Sequence, residues 1–106
     1  MGEGSKFSVL TSQLGSIENN KSADMYGYRM SKAAANMACK NLSVDNKESG
    51  ITVLMLHPGY VKTDMTGHRG NITSLESAKG LKELVMSKDL NDTGTFWHVN
   101  GKELPW

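Results

Sequence analysis

Tyr28 and Lys32 stand four residues apart in the segment Tyr28-Arg29-Met30-Ser31-Lys32. A helix turns roughly 100° per residue, so that spacing puts both side chains on one face, a turn apart. A free phenol ionises at a pH of about 10 and is a poor acid or base near neutrality. A cation within ~4–6 Å favours the phenolate and brings a tyrosine toward the range of a proton-transfer catalyst. The same pair is also an ordinary arrangement of surface neighbours, so its surroundings must decide. Ser12 ends a short β-forming stretch, where a hydroxyl can face a ligand and donate to a carbonyl oxygen. Its other reading is a cap on the strand-to-loop turn. Pro58-Gly59 follows an apolar run, and there Pro fixes φ while Gly lets the backbone come close to a ligand. Taken alone, most such Pro-Gly pairs are plain strand-to-loop turns.

The elements that must position these residues can be read along the chain. Lys6–Ser12 predicts a strand bounded by Gly4 and Gly15. Residues 24–48 predict a long helix, capped by Ser22 or Asp24 and ended by Gly50. Met30, Ala33, Ala34, Met37 and Val44 fall near one face of it, and Ala35 and Ala38 widen that face for close packing. Ile51–His57 is nearly continuously apolar, as a strand covered on both sides of a parallel sheet should be. Tyr60–Asn71 reads as a long functional loop. Thr73 and Glu76 form a capping-box pattern, opening a second helix with Leu75, Ala78, Leu81 and Val85 at helical spacing. Thr95–Val99 predicts a third strand after the Asn91–Gly94 turn. The order β-α-β-α-β predicts an α/β layer with parallel strands, in a single domain over residues 1–106.

Composition narrows the function classes. The chain has 106 residues, 38% of them apolar, a net charge of +1 and a mean hydropathy of −0.43. Its bases are interspersed with acids rather than gathered in a stripe, which predicts no nucleic-acid partner. No apolar run reaches membrane-spanning length, so no membrane partner is expected and the cytoplasm is the expected location. Cys39 is the single cysteine, which excludes an internal disulfide and reads as a buried, inert thiol. His57, His68 and His98 lack partners at ligand spacing, so no metal site is expected. Tyr26, Trp97 and Trp106 read as packing residues.

Three motifs in order give the chain a family likeness. They are Thr11-Ser12-Gln13-Leu14-Gly15-Ser16-Ile17, then Tyr28-Arg29-Met30-Ser31-Lys32-Ala33-Ala34, then His57-Pro58-Gly59-Tyr60-Val61-Lys62-Thr63-Asp64-Met65. With the closing Gly101-Lys102-Glu103-Leu104-Pro105-Trp106, the chain resembles the C-terminal half of a short-chain dehydrogenase/reductase, in the branch of the C-factor and sniffer-like carbonyl reductases. The resemblance implies the C-terminal part of a Rossmann-like, doubly wound parallel sheet. It makes residues 1–106 the catalytic and substrate-side half of that fold.

It further implies that Ser12 holds a small carbonyl substrate and Tyr28 protonates its oxygen. Lys32 would favour the ionised form of Tyr28 and hydrogen-bond the nicotinamide ribose. Pro58, Gly59, the Val61 backbone and the Thr63 hydroxyl would seat the carboxamide of NADP or NAD. The family's additional asparagine, on the helix before this first strand, has no counterpart in the sequence. Nor does a Gly-rich turn follow a predicted strand to cradle a pyrophosphate. The expectation is therefore a truncated NAD(P)-dependent reductase lacking its dinucleotide-binding half. The alternative is a non-catalytic remnant acting as an interaction module that pairs with another chain through its exposed strand or its long helix, a homodimer through the 24–48 helix being one form of that pairing.

Overall fold

The computed structural model describes residues 1–62, 67 and 69–106. Its main sheet has the order β1-β2-β5-β6. β1 (Lys6–Leu10), β2 (Thr52–His57) and β5 (Thr95–His98) are parallel, and β6 (Glu103–Leu104) closes the far edge antiparallel to β5. Helix α1 (Tyr26–Asn46) connects β1 to β2, and α2 (Ser74–Ser87) lies between β2 and β5. The expected β-α-β-α-β order is thus present, with smaller strands added. Two of these, β3 (Val61–Lys62) and β4 (Ile72–Thr73), pair in parallel and join the two ends of the Tyr60–Asn71 stretch expected to be a long functional loop.

β2 organises the molecule because all six of its residues are buried. Side chains alternate across a sheet. Val53 and Met55 therefore pack with Cys39 of α1, Phe96 and Leu104, whereas Leu54 and Leu56 pack with Leu84 of α2 on the opposite face. One helix on each face is the doubly wound arrangement. On the α2 face, Leu81, Val85 and Trp97 complete the cluster, and the Lys88 ammonium lies 3.6 Å from the Trp97 ring centroid. Trp106 stacks on Phe96 at 5.5 Å, so both tryptophans pack as expected.

Helix α1 departs from its expected bounds and face. It begins at Tyr26, and neither Ser22 nor Asp24 caps it; Met25 precedes it in the left-handed region at φ 53°, with no side-chain cap. The Asp24 carboxylate is engaged instead by the Arg29 guanidinium at 2.9 Å and by the Ser22 hydroxyl at 3.0 Å. The face turned to the sheet carries Asn36, Cys39 and Ser43, while Met30, Met37 and Val44 are exposed. Gly50 ends the segment as read, at φ 72°. The Thr73–Glu76 capping box opens α2 as read, with backbone and side chain satisfied in both directions at 3.1 Å.

Candidate active site

Ser12 leaves β1 in extended conformation and starts a single 3-10 turn over Gln13–Gly15. Its hydroxyl accepts the Leu14 N–H at 3.1 Å, so the capping reading of this serine holds. A hydroxyl that accepts in this way keeps its own proton to donate. Ser12 is buried, as is the neighbouring Thr11.

Gly15 brings this turn onto the helix. A Cβ there would meet the Lys32 carbonyl carbon at 2.9 Å and its Cβ at 3.0 Å, so any side chain would separate the two elements. Arg29 reinforces the contact by donating to the Leu14 carbonyl at 3.4 Å while holding Ser22 and Asp24. No motif in the sequence marks this role of Arg29, whose partners Leu14, Ser22 and Asp24 lie ahead of the helix. Tyr28 lies in the first turn of α1 and is 38% exposed. The Lys32 ammonium sits 5.4 Å from the Tyr28 ring centroid, so the spacing has produced a direct contact. Tyr26, expected to pack, is exposed.

Two non-glycine residues just ahead of this helix, Ala23 and Met25, have φ near +50° (52° and 53°). Such conformations cost on the order of 1–3 kcal/mol each and persist only where surroundings impose them. Here Asn20 accepts the Ala23 N–H at 3.1 Å, and Arg29 clamps Asp24 between the two strained positions.

The other flank of the site is the end of β2. Pro58 and Gly59 follow His57, with Gly59 at φ 86°, where a Cβ would meet Ile72 and Val99 side chains at 3.2 Å. The Pro58 carbonyl accepts the Ser77 hydroxyl at 2.6 Å, which pins α2 under this corner. Val61 lies half-buried in β3. Thr63 lies outside the described residues, as does His68. His57 is buried, its ring edge-on to His98 at 4.9 Å, and its Nδ1 accepts the Gln13 N–H at 3.2 Å. Burial, and then the His98 charge, push its pKa down to about 4, so the ring is neutral near pH 7. Ser12 and the Pro58–Gly59 corner thus follow the carboxyl ends of the parallel strands β1 and β2, and the Gly15 contact lays the Ser12 turn against α1 at Lys32. Ligands bind at such strand ends in open α/β sheets. Among the described residues, no group of three His, Cys, Asp or Glu could hold a metal ion. No helix there is long and apolar enough to cross a membrane.

The sequence pattern of the family described as short chain dehydrogenase matches residues 9–82, which include Ser12, Tyr28, Lys32 and Pro58–Thr63. The chain belongs to the short-chain dehydrogenase family. It is 41% identical to 1-hydroxy-2-glutathionyl-2-methyl-3-butene dehydrogenase of Rhodococcus sp. (strain AD45), over all of this chain and 49% of that protein. Among solved structures it resembles the carbonyl reductase Sniffer of D. melanogaster, with a TM-score of 0.91 and 35% identity over all of this chain and 44% of that one. The NADPH-bound carbonyl reductase from chicken fatty liver is similar at 34% identity and a TM-score of 0.86, over 95% of this chain and 42% of that one. The chain therefore spans about half the length of the short-chain dehydrogenases it matches.

Proposed function

We propose that this chain carries the catalytic part of an NAD(P)-dependent carbonyl reductase, with Ser12, Tyr28 and Lys32 as its site. The observation that supports this most is the close approach of Gly15 to Lys32, which seats the Ser12 turn on the helical turn bearing Tyr28 and Lys32. The donor set suits the nicotinamide end of the cofactor. The Lys32 ammonium touches the Tyr28 ring and meets no carboxylate within hydrogen-bond reach among the described residues, leaving its N–H groups for ribose hydroxyls. Pro58, Gly59, Val61 and Thr63 would face the carboxamide. No Gly-rich turn in this sequence offers a seat for the pyrophosphate.

A reduced nicotinamide bound there would supply the hydride for the carbonyl carbon. Ser12 donates its free proton as a hydrogen bond to the carbonyl oxygen and orients the substrate. Tyr28 then transfers its phenolic proton to that oxygen, completing the alcohol, and Lys32 stabilises the phenolate left behind. The substrate class is a small aldehyde or ketone. The test is NADPH-dependent reduction of such a carbonyl, with and without Tyr28→Phe, by the chain completed with a dinucleotide-binding half.

A second reading rests on a separate observation. Met30, Met37 and Val44 are each more than 60% exposed and spaced seven residues apart, forming one apolar stripe along α1. We propose that this stripe pairs two copies of the chain. Such pairing is compatible with catalysis, and is also the role a non-catalytic remnant would retain.

A further inference from the structure

We infer that His57 is a positioning residue for Ser12: its Nδ1 replaces a missing ladder carbonyl and fixes the turn that carries the serine. The inference rests on Ser12 being the substrate-orienting hydroxyl proposed above. It begins from the β1–β2 register. Parallel strands bond through alternate residues. The Ser5 carbonyl accepts the Thr52 N–H at 3.0 Å, and the Thr11 N–H donates to the Leu56 carbonyl at 2.8 Å. Two residues on, the Gln13 N–H would find the Pro58 carbonyl if the ladder continued. The chain instead turns at Pro58-Gly59 to reach β3, and that carbonyl accepts the Ser77 hydroxyl of α2 at 2.6 Å. The Gln13 N–H meets the His57 Nδ1 at 3.2 Å instead.

The substitution has a geometric consequence. A backbone acceptor would have prolonged β1, whereas a side-chain acceptor lets the chain roll into the Gln13–Gly15 turn while the N–H stays satisfied. Ser12 is held on both sides of this bond, through its own carbonyl to Gly15 N–H at 2.9 Å and through its hydroxyl to Leu14 N–H. Accepting at Nδ1 requires a neutral ring with its proton on Nε2. Burial enforces that state, and the pKa near 4 leaves the acceptor intact at ordinary pH. Among the described residues, the charged or titratable group facing His57 from β5 is His98; Lys102 acts on His98 in turn, and the Gln13–Gly15 turn contributes none. His98 makes the same kind of bond, its Nδ1 accepting the Asn100 N–H at 3.0 Å.

The test is nuclear magnetic resonance on the 15N-labelled 106-residue chain. A coupling across the hydrogen bond between the Gln13 amide nitrogen and the His57 Nδ1 is expected. His57→Leu keeps comparable bulk without an acceptor, and should lower amide-exchange protection at Gln13 and Leu14 by about tenfold or more. Leu54 and Met55 should be unaffected. His57→Asn, whose Oδ1 can occupy the place of Nδ1, should restore most of that protection. Protection at Gln13 in the unsubstituted chain should also fall as pH is lowered through about 4. Absence of the coupling, unchanged protection in His57→Leu, or a loss that His57→Asn does not rescue would each overturn the inference. These readings report the Ser12 turn and not turnover. A Tyr28→Phe enzyme with undiminished activity would remove the site reading while leaving this bond measurable.

Discussion

At the scale of single residues, the missing side chain at Gly15 lets the Ser12 turn lie against α1 at Lys32. The Gly15 contact is with the Lys32 backbone carbon, which cannot swing aside as a side-chain tip could. Gly15→Ala should therefore push the Ser12 turn off α1. The expected cost is about 1–3 kcal/mol, by thermal or denaturant unfolding, as for overpacking elsewhere. Gly27 lies in the same helix with nothing within 4 Å of its would-be Cβ. Gly27→Ala should be neutral or stabilising by up to ~1 kcal/mol, since alanine loses less entropy in a helix. Equal destabilisation by both substitutions would contradict the role given to Gly15.

His57 makes a separate prediction. Its folded pKa of about 4 lies below the ordinary 6.5, so between those values the unfolded chain binds more protons. Stability should be fully present above about pH 6.5 and fall as pH drops through 4, by on the order of 2 kcal/mol. Unfolding curves for the protein and for His57→Asn measure it; the variant should lose the His57 part of this slope. An equally steep slope in the variant would assign the pH dependence to other groups.

At the scale of elements, α1 presents two unlike faces. The small Asn36, Cys39 and Ser43 let it lie close on the sheet, and the long Met30 and Met37 stand outward with Val44. Residues seven apart drift by only ~20° around a helix, so the outward three make one seam. A carboxylate placed in that seam would be desolvated on pairing. Light scattering should give a dimer for the unsubstituted chain and a monomer for Met37→Glu, with helicity unchanged; a monomeric unsubstituted chain would sink the pairing proposal.

These elements differed in how openly the sequence declared them. β2 was legible because burial on both faces leaves no room for polar alternation, and α2 because Thr73 and Glu76 carry their partners within three residues. The start of α1 was not, because Asp24 could cap a helix or bind Arg29, and only the folded loop decides between them. Its buried face was missed because close packing on a sheet favours small residues, including the polar Asn36 and Ser43. β3, β4 and β6 are two residues each, too short for a periodicity. Of the proposed site, Ser12, Tyr28 and Lys32 were named from their motifs. Ser77 and Gln13 N–H could not be, since their partners lie on other elements.

At the scale of the whole molecule, the sheet order leaves β1 at an edge, with Phe7 and Leu10 exposed. The β1 residues bonding β2 alternate, so the Ser8 and Leu10 amides face outward. Among the described residues, no Gly-rich turn follows a strand to cradle a pyrophosphate. Calorimetry with the chain alone is therefore expected to detect no submillimolar binding of NADPH or NADH; such binding would show that a second copy, or another loop of this chain, completes the site. Tyr28 is proposed above as the proton donor of a carbonyl reductase. The most direct measurement is kcat/KM for NADPH-dependent reduction of a small aldehyde by the chain completed with a dinucleotide-binding half, comparing Tyr28 with Tyr28→Phe. The substitution keeps the ring under Lys32 and removes only the hydroxyl, so turnover should fall by roughly 100-fold or more while NADPH affinity and fold persist. Turnover within a few-fold of the unsubstituted protein would contradict the claim.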